Sequence, residues 1–160
     1  MSRLRNDDTE RTFSFLRAAH ASGSELARAT RLIDAGKPVP PLSQRTEIAV
    51  LLHLDRACAE ALSRFDRPDD SDDEALLQTP DLPLNVRNAV LVRRGEKRLL
   101  RSLRTLVSDA VPLLRLPRRH FFSAAVHHKG QSLSMSYLME IALALAPREA
   151  RPPSFRSVGL

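Results

Sequence analysis

The sequence predicts an all-α fold, a helical bundle with two long antiparallel helices and shorter flanking helices. Three observations predict it. Strand-forming residues are sparse beside Ala, Leu and Arg, with aromatics at 4% and no tryptophan. Apolar residues recur at three- and four-residue steps through two long stretches, the period of a helix buried on one side. Ser, Asp, Pro and Gly punctuate those stretches where helices start and stop. At 160 residues and 42% hydrophobic, the chain suits one domain with its own core.

Residues 1–8 read as frayed. Thr9 is placed to cap a short helix through about Ala21, with Phe13, Leu16 and His20 at helical spacing. Ser22 followed by Glu25 has the capping-box spacing and opens a second short helix bearing Leu26, Ala29 and Ile33. Gly36 ends it, because glycine takes the left-handed cap without a Cβ clash. Lys37-Pro38-Val39-Pro40-Pro41 is an extended linker. Ser43 caps the first long helix, which runs to about Phe65. Ile48, Leu51, Leu52, Leu54, Cys58, Leu62 and Phe65 share its apolar face.

Pro68 stops that helix. Asp69-Asp70-Ser71-Asp72-Asp73-Glu74 follows as an acidic loop or the first turn of a helix, whose positive dipole end welcomes carboxylates. Solvated carboxylates are the plain reading; a calcium loop lacks its glycine and its spaced terminal Glu. Asp81 and Pro83 then open the second long helix, expected to end at about Val107 or Ala110, before Pro112. At about 100° per residue, Ala89, Val92, Leu99, Leu100, Leu103, Leu106 and Val107 gather on one side of it. Arg87, Arg94, Arg98 and Arg101 gather on the other. Past Pro117 no clean period is visible until Ser132–Ala146, which forms a last helix with Leu138, Ile141 and Leu145; residues 147–160 read as disordered.

Charge is uneven. Residues 1–80 carry 11 basic and 14 acidic groups, residues 81–160 carry 14 and 5, and the net is +6. A basic half attracts nucleic acid, anionic lipid or an acidic protein. Nearly all the cations are Arg, whose fork suits carboxylate and phosphate alike. The Arg87/Arg94/Arg98/Arg101 row is the candidate partner-binding surface, either a solvated face or a docking stripe for an acidic partner. Nucleic acid is the second partner class, although no zinc-finger, basic-zipper or RNA-binding aromatic motif accompanies the row.

Glu96 falls near the centre of the wheel's apolar stripe. A lone buried carboxylate is costly, so Glu96 and Arg93 are expected to form a buried structural ion pair. A general acid/base role needs a pocket and a partner group, and the sequence shows neither. No catalytic residue is assigned. Five histidines lack any helical metal spacing, so no metal site is expected. The single cysteine, Cys58, reads as core and permits no disulfide within the chain. No apolar run is long enough for a membrane span, and no targeting segment is evident, which leaves cytoplasm or plastid open.

One resemblance carries more information than any single motif. In order and at similar spacing stand Ala57-Cys58, Ala61-Leu62-Ser63-Arg64-Phe65, Asp73-Glu74 with Leu76-Leu77, Asn88-Ala89-Val90 and Arg93-Arg94-Gly95-Glu96-Lys97-Arg98. These resemble the C-terminal substrate-binding domain of Rubisco large-subunit lysine methyltransferase and related SET-domain proteins, over roughly residues 9–116. The resemblance implies a bundle of helices that holds a protein substrate for a SET domain, which binds S-adenosylmethionine and methylates a lysine amine. This chain has no Asn-His motif or Gly-x-Gly loop, and its sole tyrosine, Tyr137, lies downstream of the matching region.

The expectation is therefore a helical protein-substrate-binding domain over 9–116, and a poorly defined tail with a short helix over 117–160. The chain is expected to be catalytically silent alone, with S-adenosylmethionine relevant only if a SET domain is supplied elsewhere.

Overall fold

The computed structural model describes residues 2–127 and 132–146, with side chains described except at 2–8, 126 and 132–134. Among the described residues all regular structure is helical: α1 (Ser2–His20), α2 (Ser24–Asp34), α3 (Gln44–Leu62), α4 (Ser71–Leu77), α5 (Leu84–Leu114), α6 (Arg118–His127) and α7 (Ser132–Leu145). None of these helices is long and apolar enough to cross a membrane.

The helix ends follow local chemistry. α1 starts at Ser2 rather than Thr9; Arg3, Leu4 and Arg5 are good helix formers and extend it backward. Glu25 makes no capping box. The α2 N-cap is Gly23, at φ 53°, and the Glu25 carboxylate instead accepts hydrogen bonds from Arg45 and Thr46. The C-terminus of α2 closes as a Schellman turn. Gly36 N–H donates to Ile33 O and Lys37 N–H to Leu32 O, at 2.9 and 2.8 Å, with Gly36 at φ 66°. Ser43 caps α3 as expected, its Oγ accepting the Thr46 N–H at 3.2 Å.

α5 runs four residues past Ala110, with Pro112 inside it. A proline deletes one backbone donor and crowds the carbonyl four residues back. Here only the last turn is affected. Ala110, Val111 and Leu114 are buried around it, so packing outweighs the lost bond. Gln44 Nε2 then donates to the Leu114 and Leu116 carbonyls at 3.0 and 2.9 Å, satisfying groups the helix end leaves open.

Within the expected tail the described residues form two helices, α6 and α7. α6 packs on α7. Phe121, Ala125, Leu138, Ile141 and Ala142 are at most 2% exposed. Phe121 and Ala125 stand one turn apart, a repeat too short to declare itself in sequence. The expected disordered segment, 147–160, lies outside the described residues.

The chain forms two compact units. The first holds the described residues through Leu51 and from Asp109 onward; the second is Leu52–Ser108. α3 and α5 each contribute to both. In the first unit, α1 packs on α2. Ala29, Val39 and Leu42 form a core cluster there with Ala18, Ala21 and Leu32 against it. In the second, Asp55 meets Arg104, whereas Phe65, ten residues on, meets Lys97.

Candidate functional site

The second unit is organised by charge. α4 carries Asp72, Asp73 and Glu74 in its first turn, and this acidic segment lies against the basic side of α5. Asp73 is fully buried. Its Oδ1 accepts from Arg93 Nε at 2.6 Å. Its Oδ2 has no hydrogen bond of good geometry and is answered by the Lys97 ammonium at 2.9 Å. Lys97, 3% exposed, also donates to the Asp69 carbonyl at 3.0 Å and stands over the Phe65 ring. Burial pushes the Asp73 carboxyl up, but Lys97 and Arg93 outweigh it and hold the group below its ordinary value.

Around this buried centre the pairing continues outward. Asp70 receives Arg98 at 2.6 Å and also Arg101. Arg101 and then Arg98 hold Asp70 below the usual carboxylate range. Arg98 reaches Glu74 at 2.9 Å, Arg101 donates to the Pro68 carbonyl, and Arg104 pairs with Asp55 at 2.9 Å. The acidic segment is therefore no solvated loop.

Two expectations are corrected here. Glu96 is exposed, and Arg93 pairs with Asp73 instead. The wheel fails because one apolar direction was averaged over a helix whose halves bury different sides. The first half turns Val90 and Lys97, seven residues apart, inward; the second buries Leu106, Val107, Ala110, Val111 and Leu114. These two directions differ by roughly 120° at 100° per residue, and Glu96 lines up with the second while standing in the first half, about 110° away from the side that half turns inward. The arginine row is also divided. Arg98 and Arg101 are engaged by Asp70 and Glu74, whereas Arg87 and Arg94 have no ion pair among the described residues.

Sequence reasoning missed a second polar centre, in the first unit. Glu47 is fully buried and Arg17 is 4% exposed. The guanidinium donates to both Glu47 oxygens, at 2.8 and 3.2 Å, and to the Val39 carbonyl at 3.0 Å. Tyr137 Oη donates to Glu47 Oε2 at 2.7 Å, and its ring lies 5.6 Å from that of Phe13. Burial pulls the Arg17 pKa down, but the hydrogen bond and charge of Glu47 prevail and raise it. Burial first, then Glu47, push the Tyr137 hydroxyl far up, so it stays a donor. Glu47 follows a cap and precedes Ile48, so it reads as an exposed first-turn acid. No sequence signal marks it as a core group.

Both centres are built from paired charges. Asp73, Asp70 and Glu47 are each bound to a cation, and Cys58 is buried with its thiol pKa raised, by burial and then by Asp55. Among the described residues no three His, Cys, Asp or Glu side chains gather as metal ligands do. What remains available on α5 is a surface beside the paired cations.

Comparison with known proteins bears on what such a surface is for. No curated protein and no solved structure matches the chain. The family model described as Rubisco LSMT substrate-binding matches residues 5–100. That span contains all but the first three residues of α1, α2 through α4, the first half of α5, and every ion pair of the second unit's charged centre up to Lys97 and Arg98. It covers more than half of the sequence, and the chain belongs to the Rubisco LSMT substrate-binding family.

Proposed function

We propose that the chain is the protein-substrate-binding helical module of a SET-type protein-lysine N-methyltransferase system, supplying docking and no chemistry of its own. The family match over residues 5–100 carries this reading. Methyl transfer needs an amine held in line with the sulfonium carbon in a channel that excludes water. In this reading S-adenosylmethionine belongs to a SET domain supplied elsewhere. One surface groove is lined by Asp55, Arg104, Thr105, Val107 and Ser108, where the acid and base are spent on each other. The other lies against Phe15, Ile33 and Pro38.

Nucleic acid is the weaker alternative. Arg93, Lys97, Arg98, Arg101 and Arg104 on α5 are all answered by carboxylates of the chain. Only Arg87 and Arg94 remain on that face to displace counterions. Two phosphate contacts give a salt slope of about −2, against about −5 to −9 for proteins making six to ten contacts.

The test is two-part. Calorimetric titration with S-adenosylmethionine is expected to show no heat of binding. A separately supplied SET domain is expected to methylate its protein substrate faster at low substrate concentration when this chain is joined to it. Methyl transfer by the chain alone would overturn the proposal, as would a joined chain that leaves KM unchanged.

A further inference from the structure

The first four turns of α5 keep apolar side chains in water. Leu84 is 72% exposed, Val92 71%, Leu99 59% and Leu91 42%. At 100° per residue these four positions fall within an arc of about 100°, and from Leu84 to Leu99 they span about 22 Å. Scattered exposed leucines need no explanation, but four large apolar side chains in one arc of one helix, with only Asn88 and Gly95 between them, do.

Gly95 lies in the middle of that arc. Interior glycine weakens a helix relative to alanine, so a structural reason is expected. None is present: a Cβ built on Gly95 meets nothing within 4 Å, and its φ is not positive. The fold itself has no use for this glycine. A notch in an exposed apolar stripe is useful to something that approaches the helix from outside.

The stripe's flank identifies the visitor. Arg87 and Arg94 stand seven residues apart along one edge, and they are the two α5 cations with no ion pair among the described residues. A ridge of leucines beside two uncompensated guanidiniums complements a helix with an apolar face and carboxylates along one side. A second copy of this chain complements it poorly: antiparallel α5 helices would set Arg87 and Arg94 against the same two arginines. The chain's own residues 147–160 carry three arginines and one glutamate, the wrong sign for that edge.

We infer that Leu84, Leu91, Val92 and Leu99, with the notch at Gly95 and the edge of Arg87 and Arg94, form a docking surface for an acidic amphipathic helix of a partner protein, about four turns long. This rests on the reading of the chain as a protein-binding module and names the surface and partner class within it.

The probe is a synthetic helix of about 18 residues with leucines at helical spacing and glutamates along one edge, its control the same peptide with lysines there. Binding to the full chain is read by fluorescence anisotropy. The acidic probe is expected to bind and the lysine probe to fail. Val92→Glu and Leu99→Glu are each expected to weaken binding at least ~10-fold, as for contacts at the centre of an interface. Arg87→Glu with Arg94→Glu is expected to reverse the preference between probes. Gly95→Ala separates docking from folding: it is expected to raise the thermal midpoint while weakening the probe. These side chains are exposed, apart from the half-buried Arg94, and circular dichroism checks that the variants stay folded.

Equal binding of both probes, or affinities unmoved by Leu99→Glu and Gly95→Ala, would overturn the surface. A concentration-dependent dimer in sedimentation that Leu99→Glu dissolves would assign it to a second copy. Competition by duplex DNA would assign it to nucleic acid. If a SET domain joined to the Leu99→Glu chain keeps its gain in KM, substrate binding stands and this surface falls; if the wild-type chain confers no gain yet binds the acidic probe, the reverse holds.

Discussion

At the scale of single residues, two buried carboxylates dominate. Removing one partner of a buried pair leaves the other charge unanswered and costs about 3–5 kcal/mol. Glu47→Gln and Lys97→Met are each expected to lower unfolding free energy by about that much in urea titrations. Tyr137→Phe removes a neutral donor to a charged acceptor and is expected to cost about 1.5–3 kcal/mol. A double-mutant cycle on Arg17 and Glu47 should return a large coupling energy, because neither is tolerable alone.

The same residues set a pH dependence. Asp70 and Asp73 are both held below their unfolded values. A carboxyl depressed in the fold contributes stability that is present above its unfolded pKa of about 3.9 and is lost as pH falls through the folded value. Stability is therefore expected to drop on acidification below about pH 4. Asp73→Asn should shallow that decline while lowering stability at neutral pH. A decline equally steep in Asp73→Asn would mean other carboxylates control it.

At the scale of elements, α5 carries two local costs for which packing compensates. Pro112 sits within its last turn. Pro112→Ala restores a donor for the Ser108 carbonyl and is expected to stabilise, by up to about 3 kcal/mol if the backbone keeps its course. Gly95→Ala should add about 0.5–1 kcal/mol. Ser43→Ala removes the cap seen at the start of α3 and should cost about 1 kcal/mol. Thermal midpoints check all three. The helices themselves were readable from leucine spacing, but their facing was not. α5 buries one side in its first half and another in its second. A single-wheel analysis assumes one neighbour for the whole length, and that assumption moved the buried carboxylate from Asp73 to Glu96.

At the scale of the whole molecule, the family match ends at residue 100, yet the first unit draws on residues far beyond it. Tyr137 closes the Arg17–Glu47 centre, and Leu138 and Ile141 are fully buried. A fragment ending at Leu116 would expose that apolar surface and leave Glu47 with one partner fewer. It is expected to unfold with a broadened, less cooperative transition, where the full chain unfolds sharply. A fragment as stable as the full chain would make α6 and α7 dispensable.

Helix class, the caps at Ser43 and Gly36, the break at Pro68 and the family likeness were all legible in the chain, because each depends on neighbours within a few residues. Which charges lie inside was decided only in three dimensions. The acidic run at 69–74 and the basic side of α5 look like two solvated surfaces in sequence. They are paired around a buried Asp73 and Lys97, with the outer members exposed, because a short connection holds opposite charges close enough to neutralise each other before any partner can. Folding thereby consumed the arginines that composition made most conspicuous, and left Arg87, Arg94 and an uncovered line of leucines facing the solvent.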